Sequence, residues 1–152
     1  MQINPIKNNY AGYEQERGMD NKGFYLVDIP VSQDDRGSLS VVEFQKLVEF
    51  DIKRSYWLYN TDETISRGVH AHKNLKQLLV ALRGEVTVVL DDGKTKNTIK
   101  LVSPTTGLVI TKPLWRELKD FKGDPIVMVF ASEIYNESDY IRNYEDFLKY
   151  VR

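Results

Sequence analysis

From Gly23 onward, short apolar stretches alternate with turn residues along the 152-residue chain. Apolar positions two apart turn one face of a strand toward a core, whereas a helix repeats them every three to four residues. On this pattern Phe24–Ile29, Ser38–Glu43 and Ser55–Tyr59 are predicted strands. Gln77–Arg83, Glu85–Leu90, Thr98–Val102, Gly107–Thr111, Trp115–Lys119 and Ile126–Ala131 follow them. Asp34-Asp35-Arg36-Gly37 and Asp91-Asp92-Gly93-Lys94 are turn sequences, the second placed where a hairpin is expected. Strands at roughly 8–12 residue spacing predict an all-β sandwich or barrel. The one predicted helix is C-terminal: Asn143 can cap Tyr144–Tyr150, and Glu145 and Asp146 complement the dipole of its first turn. Residues Met1 to Lys22 are polar with few aliphatics, so a flexible arm is expected over 1–22 and one domain over 23–152.

Composition narrows the function classes. Twenty-one basic residues against 22 acidic ones leave no charge excess for coating nucleic acid or a membrane surface. The absence of cysteine excludes disulfides, thiolate metal sites and a cysteine nucleophile, and fits a cytoplasmic protein. No apolar run approaches the ~18 residues of a membrane span, and no signal-peptide pattern opens the chain.

Candidate chemistry concentrates at His70 and His72, the only histidines, within Arg67-Gly68-Val69-His70-Ala71-His72-Lys73. On an extended strand they point to one face, with attachment points roughly 6–7 Å apart. Imidazole both takes and gives a proton near neutrality, its ordinary pKa being ~6.5. Such a pair suits a metal or proton transfer. Two histidines beside Arg67 and Lys73 make a poor apolar core, because burial next to cations depresses their pKa values and costs stability.

The spacing resembles the cupin superfamily. His70-x-His72, four residues, Gln77, six residues and Gly84 correspond to the first cupin motif. Gly107, five residues, Pro113, one residue and Trp115 outline the second, with Leu118 where the last metal-ligating histidine would fall. In metal-binding cupins the position of Gln77 is normally glutamate. An amide and a leucine in place of a carboxylate and an imidazole supply too little charge and too few donors for a divalent ion. No metal and no cofactor are expected, and the histidines are left as acids and bases.

A narrower resemblance covers nearly all of Phe24–Tyr150. Arg67-Gly-Val-His-Ala-His-Lys73, Asp35-Arg36-Gly37-Ser38-Leu39, Lys53-Arg54-Ser55-Tyr56 and Ser138-Asp139-Tyr140-Ile141-Arg142 together resemble the WxcM-like sugar 3,4-ketoisomerases. These act on dTDP-4-keto-6-deoxyglucose. The resemblance implies a double-stranded β-helix (cupin jelly roll) with a short C-terminal helix, working as a homodimer, often with exchanged N-terminal strands. It implies a ketone moved from C4 to C3 of a dTDP-linked sugar, before amination toward 3-amino-3,6-dideoxy sugars of surface polysaccharides or glycosylated natural products.

The resemblance also assigns roles. His70 would be the base at C3, His72 a proton shuttle, and Tyr56 an assisting group. Arg36, Arg54, Arg67, Lys73, Gln77 and Arg116 would hold the substrate, the arginines through charge stabilisation and pyrophosphate contacts. Arg36 could equally pair with the aspartates of its turn, while Tyr140 and Arg142 read as contacts of the last helix. Part of the family has histidine where this chain has Arg116, so either the gluco or the galacto 3-keto product is open. A metal-free nucleotide-sugar epimerase and a non-catalytic sugar-binding cupin are the alternatives. Imidazole catalysis predicts a rate that changes between pH 5 and 8.

Overall fold

The unbroken apolar run Leu78-Leu79-Val80-Ala81 has no alternation because both faces of its strand are covered. Leu79 and Ala81 enter one buried cluster, whereas Leu78 and Val80 enter another with Val27, Ile29, Leu47, Val48 and Phe50. The computed structural model that shows this describes residues 22–152. The expected arm therefore lies, but for Lys22, outside the described residues.

The strands are β1 (Phe24–Asp28), β2 (Val31–Asp34), β3 (Gly37–Ser40), β4 (Arg54–Leu58), β5 (Arg67–His72) and β6 (Gln77–Asp91), then β7 (Lys96–Leu101), β8 (Thr106–Ile110), β9 (Trp115–Ala131) and β10 (Tyr140–Ile141). One antiparallel sheet runs β1-β8-β6-β9-β5-β10, with β4 on β9 and β7 on β6, while β2 and β3 form a separate hairpin. The larger sheet curls into the double-stranded β-helix around Leu79, Val88, Leu90, Leu108, Leu118, Phe121 and Val129. Helix α1 (Tyr144–Val151) is capped by Asn143, whose side chain accepts from Asp146 N. It buries Phe147 against Ala71 and Ile141. No helix among the described residues is long and apolar enough to cross a membrane.

Two pairs of predicted strands are each a single element. Gln77–Arg83 and Glu85–Leu90 are the halves of 15-residue β6, and Trp115–Lys119 and Ile126–Ala131 belong to 17-residue β9. Their pairing register shifts three times between Ala81 and Thr87. Gly84 (φ 68°) and Gly123 (φ 71°) turn the chain through left-handed conformations at this bend. Space also requires glycine at 84, since an added Cβ would lie 2.4 Å from the Lys122 carbonyl oxygen and 2.8 Å from Pro125 Cα. The predicted Ser38–Glu43 strand stops at Ser40, and the exposed polar strand Val31–Asp34 carries no core-facing pattern to reveal it.

Candidate active site

Along four strands, the inward-facing positions change from aliphatic to polar toward one end of the roll. On β6 the change is from Leu79 to Gln77, on β9 from Leu118 to Arg116, and on β4 from Leu58 to Tyr56 and Arg54. On β5, Gly68 is followed by His70. These residues line one cavity of about 330 Å³, with Arg67 at its exposed rim and Tyr140 completing the wall. Its floor is the apolar core, so charge at the polar end meets a low-dielectric wall.

Two hydrogen-bonded arms reach it, through His70 and through Arg116, Gln77 and Tyr56. In the first, His70 Nε2 and His72 Nε2 are 3.1 Å apart, and His72 Nδ1 lies 3.1 Å from Asp139 Oδ2. Asp139 is itself held by the backbone N–H groups of Asn74 (2.8 Å) and Leu75 (3.3 Å). In the second arm, Arg116 donates to Gln77 Oε1 and Gln77 Nε2 donates to the Tyr56 hydroxyl oxygen at 2.9 Å. The guanidinium has no acceptor, so the amide oxygen must face it and the NH₂ must face Tyr56. With its oxygen already accepting, Tyr56 keeps its own O–H free to donate to another group.

Electrostatics favour neutral imidazoles. Burial and then the Arg116 charge lower His70 from 6.5 to about 4, and the same two causes, with His70, lower His72 to about 3. Both are therefore bases, not cations, at neutral pH. This moves the expected acid fall in rate from the range of an ordinary histidine down to about pH 4. Burial also lowers Arg116 to about 10, which leaves it charged at pH 7, and raises Tyr56, which keeps its proton.

A cupin metal does not fit this donor set. Both ends of the Gln77 amide are engaged by protein partners, and Leu118 in the cavity wall offers no donor atom. The cationic Arg116, only 2% exposed, stands beside them.

Of the residues singled out in the sequence, His70, His72, Tyr56, Arg54, Arg67, Gln77 and Arg116 come together here. Gln77 has both amide ends engaged by protein partners, so it orients Tyr56 and Arg116 and has little left for a sugar. Lys73 turns away, its Nζ donating to the Ser138 carbonyl at 2.9 Å. Arg36 sits at the tip of the β2–β3 hairpin, three-quarters exposed and paired with Asp34, outside the cavity of its own chain. Tyr140, expected to serve the last helix, instead packs its ring 4.9 Å from His70 and 4.2 Å from His72. Asp139 was not expected in the site. The signal for both lies in the segment Ser138–Arg142, which reaches the histidines because β10 pairs with β5 in the register Tyr140↔His72.

A double-stranded β-helix with proton-transfer groups at its open end defines a cupin of the enzymatic kind. The family model described as FdtA, WxcM-like, C-terminal, matches residues 22–152. A TDP-4-oxo-6-deoxy-alpha-D-glucose-3,4-oxoisomerase of Aneurinibacillus thermoaerophilus is 44% identical over 133 residues, covering 88% of this chain and 94% of its own. A crystal structure of a 3,4-ketoisomerase from Helicobacter canadensis superposes with a TM-score of 0.82 at 41% identity, covering 84% of this chain and 96% of its own. A 3,4-ketoisomerase variant from Thermoanaerobacterium thermosaccharolyticum, in complex with TDP-4-keto-6-deoxyglucose, has a TM-score of 0.83 at 36% identity, with 85% and 94% covered. The chain belongs to the WxcM-like family of sugar 3,4-ketoisomerases.

Proposed function

We propose that this enzyme moves the keto group of dTDP-4-keto-6-deoxy-D-glucose from C4 to C3, by metal-free proton transfer through an enediolate. The observation that carries the reading is that two arms meet at one cavity: neutral His70, backed by His72 on β5, and a Tyr56 hydroxyl oriented by Gln77 and Arg116. The C3 hydrogen is acidified by the adjacent C4 carbonyl. His70 removes it, and the C3–H electron pair forms the C3–C4 double bond while the C4 oxygen gains the negative charge. Tyr56 donates to that oxygen, and the buried Arg116 charge stabilises the enediolate without reorganising. Return of a proton to C4, with the C3 hydroxyl proton passing to the C4 oxygen, leaves the ketone at C3 and a hydroxyl at C4. His72 shuttles protons through its contact with His70. Arg54 and Arg67, at the cavity wall and rim, hold the pyrophosphate.

The working unit in this proposal is a cytoplasmic homodimer with exchanged N-terminal strands, supplying a 3-keto sugar for amination toward 3-amino-3,6-dideoxy sugars. Support for exchange comes from the β2–β3 hairpin, exposed at all eight positions and including Leu39 at 57%. Such a dimer offers Arg36 a route to the partner's cavity.

The test is His70→Asn, which keeps a polar group of similar reach but has no basic nitrogen. Turnover should disappear while binding of the nucleotide sugar, read by calorimetry, persists. Unchanged turnover would remove His70 as the base.

A further inference from the structure

The reaction needs one basic nitrogen presented by His70, and a free imidazole does not decide which nitrogen that is. The surroundings do. Both Asp139 oxygens accept backbone N–H bonds, from Asn74 and Leu75, and Oδ2 also faces His72 Nδ1 at 3.1 Å. The hydrogen on neutral His72 must therefore lie on Nδ1, leaving a lone pair on its Nε2. Across the 3.1 Å contact, His70 must then supply the hydrogen from its own Nε2. What remains is an unprotonated Nδ1 on His70.

Resting on the reading of His70 as the base, we propose that Asp139 is the positioning residue of this enzyme: through His72 it fixes both tautomers and makes His70 Nδ1 the proton acceptor. When Nδ1 takes the C3 proton, the imidazolium donates from Nε2 to His72, and the His72 Nδ1–H stays on Asp139. The positive charge is thus shared along a line ending at a carboxylate. The arrangement is braced mechanically. Ser138 N and Oγ bond to Asn136 Oδ1 at 3.0 and 2.8 Å, and the Tyr140 ring covers both imidazoles. Asp139 and His72 line a second cavity of about 320 Å³, which shares Arg54 and Tyr140 with the first.

Nitrogen-15 NMR of the two imidazoles in the ligand-free protein tests this directly, because they are the only histidines and His70→Asn assigns them. The expected spectrum has hydrogen on Nδ1 of His72 and on Nε2 of His70. In Asp139→Asn, His72 should lose its Nδ1–H preference, and kcat should fall about 10- to 100-fold, as when a second partner of a functional imidazole is lost, with KM little changed. An Nε2–H His72 in the unsubstituted protein would overturn the inference without touching the base assignment, and needs no Asp139 variant to fold. So would Asp139→Asn with native tautomers and native kcat. His70→Asn with full turnover, by contrast, would overturn the base assignment itself.

Discussion

Replacing Gln77 by glutamate keeps the shape of the side chain and reverses one hydrogen bond. In the native protein Gln77 donates to Tyr56 at 2.9 Å and accepts from Arg116, so the Tyr56 proton is available to the substrate. A carboxylate has only acceptors, and Tyr56 must then turn its O–H toward it. A hydrogen bond to a charged group contributes about 1.5–3 kcal/mol against about 1 for a neutral one, so the carboxylate outcompetes a neutral ketone for that proton. The substrate oxygen loses one preorganised donor, a loss of about 10²–10³ in kcat, or about 2.7–4 kcal/mol. The fold should hold, because the new carboxylate faces the buried Arg116 charge and gives it an ion-pair partner. Initial rates followed by proton NMR, with a chelator present so that a new His-His-Glu set recruits no ion, give kcat. Calorimetry with dTDP gives binding. Unchanged kcat in a folded Gln77→Glu protein would refute the claim that Tyr56 reaches the substrate as a donor.

Further outcomes follow from the same geometry. The free enzyme's kcat/KM should be level between pH 5 and 8 and fall tenfold per unit below about pH 4, where His70 takes a proton; a midpoint near 6.5 would contradict the burial and Arg116 effects. Because both histidines titrate lower folded than unfolded, the unfolded chain binds more protons between about 4 and 6.5. Stability is therefore fully present above about 6.5 and is lost as pH falls through that window, by up to about 1.4 kcal/mol per unit per histidine, which thermal melts would register. Gly84→Ala should lower stability by about 2–5 kcal/mol, combining the left-handed φ with the clash on Lys122 and Pro125, and a melting temperature unmoved by it would contradict the bend geometry.

The fold was legible wherever burial is one-sided. Strands such as Arg54–Leu58 alternate and announce themselves, and the Asn143 cap marks the helix start through a local hydrogen bond. The continuity of β6 and β9 was hidden because Gly84 and Gly123 look like chain breaks, although both sit at one bend of the paired strands. The paired histidines were visible as an i, i+2 repeat on a strand. Gln77 was visible as the amide at a glutamate position, but its bonding direction depends on Arg116, 39 residues away. Asp139 lies 67 residues from His72, and only the pairing of β10 with β5 brings them together. Arg36 illustrates the opposite case: the family resemblance pointed to a site, and within one chain its charge is used on Asp34.

The most direct test of the central claim is proton NMR of the purified, metal-stripped enzyme with dTDP-4-keto-6-deoxyglucose in D₂O. The account predicts a ketone that moves to C3 with solvent deuterium entering at C4, where the couplings also name the gluco or galacto product. A ketone that stays at C4, with exchange or inversion beside it, would contradict the account and assign an epimerase.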